Sequence, residues 1–142
     1  MANNIDQLAL RQIRIIICAA AEVRSFHFVH AFEYKVYKWL DEPEEFILPE
    51  LIKAAYFLQQ NRGTNILVHC FMGVSRSATI ILGHSILTNP NITVSDHIAE
   101  LRKQKPDIRP NRGYQHQLEA LRELVCNIGQ STEIVGEYLR DE

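Results

Sequence analysis

The chain has 142 residues, which is enough for one domain with a single core and too few for a catalytic domain joined to a sizeable regulatory one. Hydrophobic residues make up 46% of the sequence and charged residues 23%, which is typical of an ordinary folded protein and not of a disordered one. The net charge of −2 argues against a surface that binds nucleic acid or anionic lipid, so we expect neither nucleic acid nor a membrane among its partners.

The cysteines and the ends of the chain indicate the cellular compartment. No apolar run approaches the roughly 20 residues of a membrane-spanning helix, and the first residues lack the layout of a signal peptide. Ala2 is not the glycine that myristoylation requires. Three cysteines, Cys18, Cys70 and Cys126, are odd in number and lack metal-ligand spacing. We therefore expect a soluble, cytoplasmic protein with free thiols, no metal and no cofactor, and the sequence defines no oligomeric state.

The first half of the chain predicts two strands and a helix. The isoleucine-rich run Ile13–Ala20 predicts a strand that is covered on both faces, as in a parallel sheet. Tyr34–Leu40 predicts a second strand. Apolar residues at helical spacing predict a helix over Pro49–Gln60, with a proline in its first turn and Gly63 just past its end.

The second half continues the alternation of strands and helices. Asn65–His69 predicts a third strand, and Ser75–Leu87 predicts a helix. Two further helices are predicted, one with Thr93 as its N-cap and one with Asn111 as its N-cap. Residues 129–142 are interpreted as a possible C-terminal helix. This order predicts an α/β fold over residues 1–142, with a central, mostly parallel sheet flanked by helices and ligands bound at the carboxyl ends of its strands.

The loop between the third strand and the next helix carries the strongest functional signal. A loop that leaves a strand and enters a helix can turn its backbone N–H groups inward and bind an anion, aided by the helix dipole. Glycine in mid-loop permits the required backbone conformation, and an arginine adds a planar fork of donors. We expect this phosphate-binding loop to comprise Phe71, Met72, Gly73, Val74, Ser75 and Arg76.

Cys70 begins this loop and is the predicted nucleophile. A thiol at a helix N-terminus beside an arginine has a lowered pKa, so Cys70 is expected to be a thiolate that attacks a phosphate monoester and forms a phosphocysteine. Ser77 is expected to donate a hydrogen bond to the departing thiolate, although its spacing fits a residue of the helix's first turn equally well. Cysteine and arginine at this spacing also arise by chance around a buried structural cysteine, whereas the full string from His69 to Ser77 is far more specific.

The full string resembles the active-site loop of the protein tyrosine phosphatase superfamily, in its dual-specificity form. The resemblance covers about residues 14–124 and implies a catalytic Cys70 and Arg76. The segment Ile108–Tyr114 is similar to the family's stretch after the catalytic loop, which implies that Asn111 buttresses the loop. His69 is expected to support the loop through its backbone, or simply to pack at the strand end.

The segment Asp41-Glu42-Pro43 is similar to the family's loop that carries the general acid. The resemblance implies that Asp41 protonates the leaving oxygen, while spacing alone does not exclude Glu42, Glu44 or Glu45. Two departures concern the surroundings of the site: the interval from this loop to Cys70 is shorter than is common in the family, and the N-terminal part is short. We therefore expect an open, shallow pocket that admits phosphoserine and phosphothreonine as well as phosphotyrosine.

A third departure is Gly83-His84-Ser85-Ile86, where the family usually has Ala-Tyr-Leu-Met, on the helix after the catalytic loop. It leaves that helix's packing and any docking role open. Catalysis should not depend on it.

The leading hypothesis is a dual-specificity phosphatase acting on phosphoproteins. One alternative is a catalytically idle phosphate-binding module, but such relatives typically lose the cysteine. Another is a phosphatase for phosphoinositides or RNA 5′ ends, whose loops tend to carry extra basic residues where this chain has neutral ones. Cys18, at the end of the first strand, is a predicted redox partner of Cys70 if the two strands are neighbours, and otherwise a small residue filling the core.

Overall fold

The structure, a computed structural model, describes residues 11–22 and 32–127, and the predicted C-terminal helix over residues 129–142 lies outside this range. Strands and helices alternate along the first part of the chain, and helices follow one another in the second. Their bounds are β1 Ile15–Ala19, β2 Glu33–Tyr37, α1 Leu48–Gln60, β3 Ile66–His69, α2 Arg76–Thr88, α3 Val94–Arg102 and α4 Arg112–Asn127.

The described strands form a three-stranded parallel sheet in the order β2-β1-β3. All five residues of β1 are buried, because this strand lies in the middle of the sheet and is covered on both faces. Parallel pairing brings the carboxyl ends of β1 and β3 to the same edge, with Cys18 opposite His69. The α/β fold class is confirmed, and β1 and β3 are neighbours, which is the condition on which the redox partnership of Cys18 and Cys70 depends.

Helix α2 is the most enclosed helix at this edge of the sheet. Nine of its residues are buried, from Arg76 in the first turn to Leu87 near the end, which is why its sequence is apolar on more than one face. Gly83 faces α1, and a Cβ atom there would lie 2.9 Å from Leu51 Cδ1. The departure from the family pattern at Gly83 therefore allows α1 and α2 to approach closely, and it lies away from the loop that begins α2.

Several predicted boundaries were wrong, for identifiable reasons. Strand β2 ends at Tyr37 and not at Leu40, because its register with β1 ends at the pair of Ala19 and Tyr37. Beyond that pair the carbonyl of Trp39 accepts a hydrogen bond from the Ala21 N–H, so the chain leaves the strand. Strands β1 and β3 also begin slightly later than predicted.

The predicted helix ends and caps can be compared with the structure. Helix α1 ends at Gln60, as predicted, and the N–H of its C-cap residue Asn61 donates to the Leu58 carbonyl, so Gly63 lies in the turn that follows the helix. The Thr93 hydroxyl accepts from the Asp96 N–H at 3.1 Å and caps α3, as predicted. Within residues 11–22 and 32–127, no helix has the length and apolar character needed to cross a membrane.

Candidate active site

The loop between β3 and α2 curls around the sulfur of Cys70. Gly73 has a φ angle of 75°, a left-handed conformation that favours glycine, and its N–H donates to Cys70 Sγ at 3.1 Å. The Ser77 Oγ lies 3.3 Å from the same sulfur. Two hydrogen-bond donors thus contact the thiol, one from the predicted phosphate-binding loop and one from the first turn of α2.

The pKa of Cys70 is set by two opposing effects. Burial raises the pKa, while hydrogen bonds from the Ser77 hydroxyl and from the Ser77 and Gly73 backbones, together with the charge of Arg76, lower it. The lowering effects outweigh burial, so the pKa of Cys70 lies below its ordinary value. This environment favours the thiolate, which is the nucleophilic form of cysteine.

Arg76 lies at the first turn of α2 and is only 4% exposed. Its guanidinium donates to both carboxylate oxygens of Glu22 and to the carbonyl of Trp39. Sequence reasoning missed Glu22. The one signal available was its place just beyond the carboxyl end of β1, at the edge of the sheet where the phosphate-binding loop also begins.

Asn111 joins the phosphate-binding loop to two other segments. Its backbone N–H donates to Ser75 Oγ at 3.0 Å, and its side-chain Nδ2 donates to Asp41 Oδ1 at 2.9 Å. Its Oδ1 accepts from the Tyr114 N–H at 2.8 Å, which confirms the predicted cap of α4. Near Asn111, the backbone N–H of Arg109 also donates to the backbone carbonyl of Val74 in the loop, at 2.5 Å. These contacts are those expected of a residue that buttresses the loop.

The four acidic residues of the segment after β2 have different surroundings. Asp41 contacts Asn111, and its carboxylate is one of the charges that raise the pKa of Arg76, after the larger effect of Glu22. The Glu45 carboxylate accepts from the Leu40 N–H at 3.4 Å instead, within its own loop. Glu42 and Glu44 are exposed. Asp41 therefore interacts electrostatically with Arg76, whereas the Glu45 carboxylate makes its hydrogen bond within its own loop.

His69 and Cys18 lie beneath the loop, on β3 and β1. Burial lowers the pKa of His69, and a hydrogen bond to the Cys70 backbone opposes this shift, which is consistent with the expected support of the loop. Its Nε2 atom is buried without a hydrogen-bond partner in the described part of the chain. Cys18 is fully buried, and its pKa is raised by burial and further by Cys70.

The mouth of the site combines exposed apolar side chains with a basic side chain. Phe71 and Met72 are 68% and 69% exposed, although both are large and apolar. The Lys105 ammonium lies beside Gly73, 2.7 Å from where a Cβ atom on that glycine would stand. Lys105 belongs to the segment after α3, and its position beside Gly73 could not be predicted from the sequence of the phosphate-binding loop.

Comparison with known proteins identifies the family. The family model described as "Dual specificity phosphatase, catalytic domain" matches residues 2–123, a range that includes the phosphate-binding loop, Asp41 and Asn111. The chain belongs to this family. The family recognised from the string around Cys70 is therefore confirmed.

Individual relatives agree with this assignment. The chain is 30% identical over 132 residues to protein phosphatase Slingshot homolog 3 of Mus musculus, covering 92% of this chain and 20% of that protein. It is 30% identical over 119 residues to dual specificity protein phosphatase 19 of Mus musculus, covering 82% of this chain and 53% of that protein. The chain thus spans about a fifth and about half of these two proteins.

A solved structure has the same fold. The crystal structure of DUSP15 superimposes with a TM-score of 0.75 at 26% sequence identity, covering 89% of this chain and 85% of that one. The arrangement of sheet, phosphate-binding loop and flanking helices is therefore that of a dual-specificity phosphatase.

Proposed function

We propose that this chain hydrolyses phosphate monoesters on proteins, acting on phosphotyrosine as well as phosphoserine and phosphothreonine, through a phosphocysteine intermediate. The observation that carries the proposal is the setting of Cys70 Sγ, which lies 3.1 Å from the Gly73 N and 3.3 Å from the Ser77 Oγ at the start of a helix that also presents Arg76. Membership of the dual-specificity phosphatase family supports it independently.

In the first step the Cys70 thiolate attacks phosphorus, so that an S–P bond forms and the ester P–O bond breaks. The backbone N–H groups of the loop and the guanidinium of Arg76 hold the phosphoryl oxygens in a donor-lined site. Asp41 donates its proton to the leaving oxygen, which a serine, threonine or tyrosine side chain needs before it can depart. Its hydrogen bond to Asn111 holds this carboxyl group at the site.

In the second step water attacks the phosphocysteine, so that a P–O bond forms and the S–P bond breaks. The Asp41 carboxylate, which has lost its proton, accepts a proton from this water. Cys70 departs as a thiolate and receives a hydrogen bond from Ser77, whose hydroxyl is already within 3.3 Å of the sulfur. No metal or cofactor takes part in either step of this proposal.

The mouth of the site supports phosphoproteins as the substrate class. Exposed Phe71 and Met72 flank the nucleophile with apolar surface, which suits a side chain presented on a polypeptide better than a highly charged headgroup. Lys105 lies at this rim, and its positive charge suits an acidic neighbour of the phosphorylated residue. We further propose a cytoplasmic location, which the free thiols of Cys18, Cys70 and Cys126 support.

The test measures release of inorganic phosphate from p-nitrophenyl phosphate and from matched peptides carrying phosphotyrosine, phosphoserine or phosphothreonine. We expect turnover of all three peptides by the wild type and a loss of roughly 10⁴-fold or more in Cys70→Ser, the scale on which removal of an enzyme nucleophile acts. Cys70→Ser should still bind orthovanadate, because the donors of the loop remain.

Two outcomes would favour the alternatives. A wild-type protein that binds orthovanadate and releases no phosphate from any substrate would be an idle phosphate-binding module. Preferential turnover of a soluble phosphoinositide headgroup or an RNA 5′ triphosphate, compared at equal concentration with the phosphopeptides, would reassign the substrate class. Peptides captured by Asp41→Ala, which should bind substrate without completing the first step, would then identify the sequence that the mouth prefers.

A further inference from the structure

The most exposed apolar side chains in the described part of the chain lie on the two loops that form the active site. On the loop that carries the general acid, Phe46 is 71% exposed, as much as Phe71 and Met72 on the phosphate-binding loop, and Leu40 is exposed as well. Elsewhere in the described part of the chain, no large apolar side chain is more than 39% exposed. Large apolar side chains concentrated in one exposed place mark an interaction surface. We call this set the apolar rim: Leu40, Phe46, Phe71 and Met72.

Phe71 and Met72 are displayed by a closed turn at the start of the phosphate-binding loop. The Gly73 N–H donates to Cys70 Sγ at 3.1 Å, and these two apolar residues lie between the glycine and the nucleophile. The bond fixes the backbone of the turn while both side chains remain in water. A partner that covers them need not order this backbone, which lowers the entropic cost of binding.

Phe46 is displayed in a comparable way on the other loop. The Gln117 side chain accepts from the Ile47 N–H at 2.7 Å and donates to the Glu45 carbonyl at 2.9 Å, so both neighbours of Phe46 are held. Ile47 is fully buried, which anchors the backbone in the core while the next side chain, Phe46, stays exposed. The exposure of Phe46 therefore belongs to a fixed backbone.

The two loops border the same mouth because Asn111 joins them. Its Nδ2 donates to Asp41 Oδ1 and its backbone N–H donates to Ser75 Oγ. A phosphorylated side chain that reaches Cys70 must pass between the two loops. The residues before and after it in the substrate polypeptide are then carried onto the apolar rim, which identifies the partner that covers this surface.

The charges around the apolar rim favour a polypeptide over other partners. Glu42 and Glu44 are exposed on the same loop as Phe46. These carboxylates disfavour an anionic membrane surface, and a second copy bound through the same surface would bring like charges together. Lys105 adds a positive charge beside the phosphate-binding loop. A polypeptide presents apolar, basic and acidic side chains within a few residues and so suits this mixed surface.

We propose that the apolar rim binds bulky apolar residues next to the phosphorylated residue of a protein substrate, and so makes the enzyme selective for phosphorylation sites with apolar neighbours. This inference rests on the proposed phosphatase function and specifies its substrate. Binding removes apolar surface of both partners from water, which is favourable. These contacts lie away from the reacting atoms and are the same in the ground state and the transition state, so they act on KM and not on kcat.

The test compares two phosphotyrosine peptides that differ only in the residues on either side of the phosphotyrosine, which are leucine in one peptide and asparagine in the other. The ratio of their two values of kcat/KM measures the preference within one protein, so a general change in catalysis cancels. We expect the wild type to favour the leucine peptide by about 10-fold, through KM, which is the low end of the range for an apolar group in a substrate pocket. Equal kcat/KM for the two peptides would overturn the proposal.

Variants of the apolar rim assign this preference to its residues. Phe46→Ala, Phe71→Ala and Met72→Gln should each lower the ratio toward one. Leu124 is an exposed apolar residue of α4 outside both loops, so Leu124→Gln is the matched control and should keep the wild-type ratio. Circular dichroism and thermal melting establish that each variant is folded. A wild-type ratio in all three folded rim variants would contradict the proposal.

A binding measurement separates the failure of this proposal from the failure of the proposed function. Both peptides carry a fluorophore and are titrated with Cys70→Ser, which does not turn them over, and anisotropy gives each Kd. Tighter binding of the leucine peptide that is lost when Phe46→Ala is added would support the apolar rim even if the wild type released no phosphate.

Two further measurements test the other partners. One is sedimentation with vesicles of phosphatidylcholine and phosphatidylserine, and the other is the mass of the protein in analytical ultracentrifugation over a range of concentrations. We expect neither vesicle binding nor a dimer that depends on Phe46. Vesicle binding or a dimer that is abolished by Phe46→Ala would overturn the proposal and assign the surface to a membrane or to a second copy.

Discussion

Ser77 is the residue whose hydroxyl contributes most among the groups that lower the pKa of Cys70. Replacing it by alanine removes that hydrogen bond, so the pKa of Cys70 should rise. Because only the thiolate attacks phosphate, the acidic limb of the kcat/KM profile should move to higher pH in Ser77→Ala. Alkylation of Cys70 by iodoacetate should show the same displacement when its rate is measured against pH.

A matched serine on the same helix serves as the control for this prediction. Ser85 donates to the carbonyl of Ile81 within α2 and has no contact with the phosphate-binding loop. Ser85→Ala should therefore keep the wild-type pH profile. An unshifted profile in Ser77→Ala would assign this serine to the packing of the first helical turn.

Asp41 can be tested as the general acid without disturbing its contact with Asn111. In Asp41→Asn the amide oxygen can still accept from Asn111 Nδ2, but the side chain has no proton to give. We expect kcat for phenyl phosphate to fall by about 10²- to 10⁴-fold, the contribution of general acid catalysis, with a much smaller fall for p-nitrophenyl phosphate. The ratio of the two values of kcat is the measurement.

The neighbouring acids supply the comparison for Asp41. Glu44→Gln changes an exposed carboxylate of the same loop and should leave the ratio between the two substrates unaltered. If Glu44→Gln or Glu45→Gln produced the dependence on leaving group, the acid would have to be reassigned within this loop.

At the scale of elements, the first turn of α4 holds the loop that carries Asp41. A Cβ atom on Gly113 would lie 1.9 Å from the Pro43 carbonyl oxygen, so the backbones of the two segments are in direct contact. Gly113→Ala must push this loop away, and with it the carboxyl group of Asp41. We expect a loss of stability of about 1–3 kcal/mol from overpacking. The fall in kcat should be greater for phenyl phosphate than for p-nitrophenyl phosphate.

Gly63 provides the matched control for this substitution. It lies in the turn after α1, and nothing stands within 4 Å of a Cβ atom added there. Gly63→Ala should therefore melt at or near the wild-type temperature and keep wild-type kinetics with both substrates. A Gly113→Ala protein with unchanged kcat for phenyl phosphate would mean that the position of the Asp41 loop does not depend on this contact.

The elements that the sequence predicted well are those whose signals are local. The string from His69 to Ser77 contains the end of a strand, the phosphate-binding loop and the start of a helix within nine residues, so loop and family were both predictable. The caps by Thr93 and Asn111 are equally local, since each bonds an N–H three residues ahead.

The contacts that could not be predicted join distant parts of the chain. Arg76 is separated from Glu22 by 54 residues and from Trp39 by 37, and their meeting depends on the strand order β2-β1-β3. The end of β2 likewise depends on the bond between Ala21 and the Trp39 carbonyl, and not on the sequence of β2. Lys105 and Gly73 are also distant in sequence, so the position of Lys105 beside the phosphate-binding loop could not be predicted.

At the scale of the whole molecule, the parallel sheet brings two thiols to one edge. Cys18 is in register with His69, the residue before Cys70, and neighbouring strands lie about 4.8 Å apart. The charge of Cys70 contributes to raising the pKa of Cys18, so the two groups interact electrostatically. This arrangement meets the condition on which the predicted redox partnership depends, namely that β1 and β3 are neighbours.

The predicted chemistry uses peroxide as the oxidant. Peroxide converts the Cys70 thiolate to a sulfenic acid, and the sulfur of Cys18 then attacks the Cys70 sulfur, forming a disulfide and releasing water. Burial raises the pKa of Cys18, so less of it is thiolate at neutral pH and disulfide formation should quicken as pH rises. The disulfide protects Cys70 from further, irreversible oxidation.

We therefore expect peroxide-treated wild type to recover its activity with a thiol reductant, and Cys18→Ser to recover much less. Mass spectrometry of the treated wild type should detect a peptide pair joined through Cys18 and Cys70. Cys126 is the exposed thiol of the described chain, and Cys126→Ser should recover like the wild type. Equal recovery in Cys18→Ser and wild type, with no joined peptides, would leave Cys18 as a buried residue of the central strand whose role is packing.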